Sequence, residues 1–197
     1  MSYGCCTYHF VFAVDTSNWL NRIRVWIMRW MFQFFFHQIG GCDQFMSTFG
    51  YDNAIYPSAY VEQFVTSIAF NPFLPTISST TPADYGVALH LAVDIISLYM
   101  DWNTCAIFMS DGGSNMNVSP AEISLFLMIK NQMADQYQTC LCAICVSVHG
   151  YPIDPAFEKT CLKIGANIIA NPNPWAAGYT LWNHAAQRIY GMPCNCQ

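Results

Sequence analysis

A chain of 197 residues fits one medium domain, long enough to bury its own core. Its formal net charge is -5 with only seven Lys and Arg, three of them clustered at Arg22, Arg24 and Arg29, which leaves no basic footprint for nucleic acid. Charged residues make up 10% of the chain and aromatics 16%, against about 25% charged in an average soluble domain, so uncharged polar groups, glycan or neighbouring subunits have to cover much of the surface.

The first predicted strand is residues 7–14, TYHFVFAV, ending at Asp15. A helix is predicted over about 19–37, stopped by Gly40-Gly41. Its apolar stretch raises the question of a membrane span, but three arginines make spanning costly. Arg22 and Arg29 share one helical face, so an amphipathic helix packed on a sheet is expected, with no membrane span. Residues 42–52 read as a second strand with a turn, and 54–70 as a short edge strand and a helix before the Pro72 and Pro75 breaks.

A polar loop over 76–84 leads into a helix over 85–100. TCAIFMSDGG, residues 104–113, repeats the opening pattern of an apolar strand followed by an aspartate. Ser119, Pro120 and Glu122 then stand where a helix takes its N-cap, its first residue and its N3 partner. A strand over 139–148, a short helix from Asp154 to Gly165, a strand over 166–170 and a helix over 179–190 complete the order. Strand and helix alternate, the pattern of an α/β fold: a doubly wound, mainly parallel central sheet flanked by helices on both faces. The continuous apolar runs at 10–14, 105–109 and 141–148 suit strands buried on both sides. One domain over 1–197 is expected, with cysteine-bearing terminal extensions at about 1–7 and 191–197.

Ten cysteines are many for a reducing compartment. Their concentration near both ends reads as bridges that close the domain in an oxidising environment. The competing reading is zinc at Cys142-Ala-Ile-Cys145, but no second CxxC or nearby His pair completes a set. Cys105 and Cys161 are read as buried thiols or as partners for the 140–145 group. The opening MSYGCC has no secretory leader pattern, so a secreted protein would be a mature or truncated form. Asn117-Val-Ser119 is the only N-x-S/T sequon, followed by Pro120, and the loop 78–81 offers hydroxyls for O-linked glycan.

In an open α/β sheet, ligands bind beyond the carboxyl ends of the strands. Asp15 and Asp111 each follow an apolar strand, and Ser17 lies beside the first. Such an oxygen-only set suits Mg²⁺ or Ca²⁺. Read from spacing alone, Asp15 and Ser17 serve equally as caps of the next helix, and Asp111 as a turn residue.

The order of VFAVDTSNW, FMSTFGYDNAIY, YGVALHLAVDII, AIFMSDGGSN and CAICVSVHG resembles the von Willebrand factor type A domain, over about residues 8–171. QIGGCDQFMSTFGYDNA, IGANIIANPNPWAAGY and the closing CNCQ look most like secreted nematode-type versions. The resemblance implies a Rossmann-like three-layer sandwich with termini near each other. That would join Cys5 or Cys6 to Cys194 or Cys196. It also implies a metal-ion-dependent adhesion site at the carboxyl edge, to which Asp15, Ser17 and Asp111 correspond. The second serine of its DxSxS loop is replaced by Trp19, and its threonine position falls on Ala83. Thr80 or Thr81 supplies that hydroxyl only if the loop shifts, so the expected metal set is Asp15, Ser17, Asp111 and Thr81, a degenerate site.

No enzyme is expected. The five histidines are scattered, and neither G-x-S-x-G nor G-x-G-x-x-G is present. What the resemblance implies is an extracellular, non-enzymatic protein-interaction or adhesion module, with protein ligands or copies of itself as partners. Composition alone points to the alternative, a structural subunit of a filament or matrix assembly without a working metal site, packed through the helix from Trp19 to Phe36 and through Trp175 and Trp182.

Overall fold

The computed structural model describes residues 8–15, 44–51, 61–65, 84–110, 118–147 and 155–170. The predicted helices over 19–37 and 179–190, the terminal extensions and the tryptophans at 19, 175 and 182 lie outside the described residues.

Among the described residues six strands form one sheet: β1 (His9–Asp15), β2 (Gln44–Tyr51), β3 (Val61–Val65), β4 (Thr104–Ser110), β5 (Leu141–Ser147) and β6 (Ile168–Ala170), in the order β3-β2-β1-β4-β5-β6. All neighbours are parallel except β3, which runs antiparallel to β2 at the edge. The expected doubly wound α/β architecture is therefore present, with β1 and β4 side by side at its centre. Every residue of β1 and of β4 is buried, which is why both read as unbroken apolar runs rather than as alternation.

Three helices are described: α1 (Tyr85–Ser97), α2 (Pro120–Gln132) and α3 (Pro155–Lys163). They pack with one face of the sheet. Val11, Ala13, Phe49, Ala106, Phe108 and Ala143 from the strands meet Ala88, Leu89, Phe126, Ile129 and Phe157 from the helices in a single core. Full burial of each large side chain there contributes about 2 kcal/mol. The opposite face, with Phe10, Phe12, Met46, Ile107 and Ile144, is equally buried.

The helix ends follow the sequence signals. Ser119 caps α2, its hydroxyl accepting from the Glu122 amide at 3.2 Å while the Glu122 carboxylate accepts from the Ser119 amide at 2.7 Å. Ser119 is thus the capping residue of a helix as well as the third position of the sequon. Beyond α2 the chain makes one π-helical turn, Met133–Tyr137, closed by Gln138 at φ 55°. Gly165, at φ 66°, ends α3: its amide donates to the Leu162 carbonyl, and the Ala166 amide to the Cys161 carbonyl. That pair of bonds needs a left-handed residue, which glycine adopts without strain. The predicted helix over 85–100 stops at Ser97, where the chain turns through residues 98–102 into β4.

Gly86 has a packing reason. A Cβ added there would lie 2.8 Å from both Glu122 carboxylate oxygens and 3.1 Å from Asp84 Oδ1. Asp84 caps α1 by accepting from the Gly86 amide at 2.8 Å, so the starts of α1 and α2 close on each other over a bare Cα. Gly86→Ala should therefore push the Glu122 carboxylate off the Ser119 amide, so that alanine's better helix propensity brings no gain in stability. In a urea-unfolding double-mutant cycle with Glu122→Ala, the two changes should couple by more than about 0.5 kcal/mol. Strict additivity would contradict the contact.

Candidate functional site

The carboxyl ends of β1 and β4 meet at Asp15 and Ser110. The ladder pairs Val14 with Met109, and one step further it sets Asp15 beside Ser110. Strand alternation turns both toward the α1 face, as it does Ala13 and Phe108. The Ser110 hydroxyl donates to Asp15 Oδ2 at 2.9 Å, joining residues 95 apart in the chain. Both side chains are 0% exposed. Asp15 is accordingly the last residue of β1 and not a turn residue after it. A carboxylate so placed is costly to bury without such a donor.

Two tyrosines support this edge from below. Tyr51, paired with Asp15 across β1 and β2, donates its hydroxyl to the Met109 carbonyl at 3.0 Å. Tyr85, the first residue of α1, packs edge-on against Tyr51 at 5.8 Å and against Phe157 at 5.1 Å. Its hydroxyl is buried and makes no hydrogen bond of good geometry, although the Ser110 hydroxyl lies close enough to act on it. Burial pushes the Tyr85 phenol well up; Tyr51, Cys161 and Cys145 add to that, and Ser110 pulls against it. Tyr85 therefore stays a neutral phenol beneath a hydroxyl that itself serves the carboxylate.

Of the expected metal set, only Asp15 is among the described residues; Ser17, Thr81 and Asp111 lie outside them, as do Trp19 and Ala83. Among the described residues no three His, Cys, Asp or Glu side chains gather as a metal cluster. Asp15 suits a hard cation as an oxygen donor, and Ser110 suits the supporting role of orienting it. Ser110 and Tyr85 carried no such role in the sequence reading. The available signal was parity: position 110 falls on the same sheet face as positions 106 and 108, the face that Asp15 shares.

The opposite, amino edge of the sheet is aromatic. His9 Nε2 lies 2.8 Å from the Ser47 hydroxyl, with Phe45 at 5.0 Å and Tyr99 at 4.8 Å from its ring. This buried cluster packs the turn after α1 against β1 and β2.

The CxxC pair is divided by the strand. Cys145 joins the helical core with Leu141 and Ala143, while Cys142 faces the other side with Ile144, since residues three apart on a strand project oppositely. One ion cannot take both sulfurs, so zinc at this tetrad is excluded. Cys105, Cys142, Cys145 and Cys161 are buried free thiols. Cys140 is disulfide-bonded, to a partner outside the described residues. The expected bridges from Cys5 or Cys6 to Cys194 or Cys196 also lie outside them.

No family model and no curated protein matches the sequence. Solved structures do resemble the fold. A von Willebrand factor type A protein from Catenulispora acidiphila superposes with a TM-score of 0.64 at 13% identity, over 94% of this chain and 43% of that one. Proximal thread matrix protein 1 from the mussel byssus, solved with a zinc-occupied metal-ion-dependent adhesion motif, gives 0.62 at 13% identity over 92% of this chain and 46% of its own. The pilus adhesin SpaC from Lactobacillus rhamnosus GG gives 0.63 at 12% identity over 95% and 30%. The chain thus spans less than half the length of these neighbours. At such identities the likeness speaks for the fold, and the fold is that of von Willebrand factor type A domains.

Removing the Ser110 hydroxyl tests the geometry of the edge. Ser110→Ala should cost about 1–2 kcal/mol in urea unfolding, because Asp15 loses a buried donor. Ser110→Thr, which keeps the hydroxyl, should lose less. Equal losses in the two variants, or none in Ser110→Ala, would contradict the bond's role.

Proposed function

We propose that this chain is an extracellular, non-enzymatic protein-interaction module whose contact edge is the carboxyl end of the sheet around Asp15. The observation that carries the reading is a carboxylate held by Ser110 at the junction of the two central strands. Brought to this edge, Asp111 and Ser17 would join Asp15 around Mg²⁺ or Ca²⁺, with Thr81 in place of the lost threonine and water filling the remaining positions. A carboxylate of the partner would complete the shell. The mussel matrix protein with a zinc-occupied adhesion motif and the pilus adhesin support a metal-assisted, adhesive role for this fold. An extracellular setting is supported by the disulfide at Cys140, since such bonds persist in oxidising compartments.

A second reading has its own observation. A surface drawn from a chain with 10% charge favours packing against copies of itself, and exposed Leu98, Met128, Tyr137 and Leu162 add apolar area. On that reading Trp19, standing where the family keeps an oxygen, marks a fold retained as a building block of a filament or matrix. Among the described residues, no helix is long and apolar enough to cross a membrane.

Calorimetry with Mg²⁺ and Ca²⁺ separates the two readings. The interaction reading expects binding heat with the wild type that disappears in Asp111→Ala. Heat absent from both proteins, or equal in both, would overturn the metal-assisted edge and leave the building-block reading standing.

A further inference from the structure

The four free cysteines among the described residues fall into two pairs, one on each face of the sheet. On the face away from the described helices, Cys105 and Cys142 are direct partners across β4 and β5, and both are buried. On the helical face, Cys145 of β5 and Cys161 of α3 sit in the same core cluster, each 0% exposed. Cross-pairing between faces is ruled out by the sheet itself.

The two pairs differ in how freely they can close. Neighbouring strands lie about 4.7–4.9 Å apart, and Cβ atoms directly across a parallel ladder keep nearly that spacing. A disulfide takes a Cβ separation of about 3.5–4.5 Å. Closing Cys105 onto Cys142 would therefore pinch two central strands whose hydrogen bonds fix them. Cys145 and Cys161 are under no such constraint, because Cys161 rides on a nine-residue helix and not on a strand of the ladder. The link after that helix is held to β5: the Asn167 amide donates to the Ala143 carbonyl at 2.7 Å, and Asn167 Oδ1 accepts from the Ala143 amide at 3.0 Å. The Schellman bond from Ala166 to the Cys161 carbonyl at 2.9 Å then sets the position of Cys161 on the helix. Burial, followed by a hydrogen bond with the Cys161 thiol, pushes the Cys145 thiol well up. Once folded, the pair is shielded from reagents in solution.

We infer that Cys145 and Cys161 form a second disulfide site, which closes during folding in an oxidising compartment and clamps α3 to β5. The chemistry is thiol–disulfide exchange. One thiolate attacks a disulfide oxidant, such as an oxidised dithiol protein, and forms a mixed disulfide. The second thiolate displaces the oxidant's sulfur, so that two protons and two electrons leave the pair and the oxidant departs as its dithiol. The site does not require the partner-binding reading, and its test does not involve metal or partner.

The full chain is produced in an oxidising compartment, denatured, alkylated without reduction, digested and mapped by mass spectrometry. The expected result is a cross-linked peptide pair joining Cys145 to Cys161, with Cys105 and Cys142 recovered alkylated. Relative to the same protein after reduction, closure of this short loop raises Tm by roughly 6 °C or more. In Cys161→Ser, that part of the difference between oxidised and reduced protein is lost, while the part due to Cys140 remains. Recovery of Cys145 and Cys161 as alkylated thiols from folded protein, or linkage of either to another cysteine, overturns the inference.

Discussion

The hydrogen bond from Ser110 to Asp15 is the constraint on which the arrangement of the carboxyl edge depends. It joins the ends of the two central strands and holds a buried carboxylate in place. Tyr51, whose hydroxyl donates to the Met109 carbonyl, and Tyr85, packed edge-on against it, pack close to the same strand ends. An apolar residue at position 110 would leave the buried Asp15 carboxylate without the Ser110 hydroxyl donor. Beneath it the core is conventional, an α/β sheet with buried aliphatic and aromatic runs. Above it lies the edge where this fold takes its ligands.

The same division between a stiff sheet and adjustable surroundings explains the cysteines. Two thiols in one ladder are neighbours whose separation the paired strands fix, whereas a thiol on a helix meets its strand through side-chain packing. The CxxC spacing is misleading for this reason. Spacing along a strand carries a period of two, and an odd separation sends two ligands to opposite sides of the layer.

Much of the fold was legible in the residues. The runs at 10–14, 105–109 and 141–148 announced strands buried on both faces, and they are β1, β4 and β5. Ser119, Pro120 and Glu122 announced the start of α2, since a capping box is a local motif whose partners lie within one turn. The antiparallel pairing of β3 with β2 was not legible, because the direction in which an edge strand pairs is not written in the residues of that strand. Neither was the approach of Glu122 to Gly86, a contact between two helices far apart in sequence. Asp15 was recognisable as a carboxylate at the end of a central strand. The role of Ser110 was not legible, because it arises from the register of two strands that sequence order alone does not give.

The proposed function rests on Asp15 acting as a cation ligand at this edge. Anomalous diffraction from crystals grown with saturating Mn²⁺, a stand-in for Mg²⁺, tests it most directly. The account predicts a peak within about 2.5 Å of an Asp15 carboxylate oxygen, with Asp111 on the same ion and Ser110 still donating to Asp15. A fully occupied lattice with no anomalous peak at that carboxylate, or with the Trp19 indole filling the position, would contradict it.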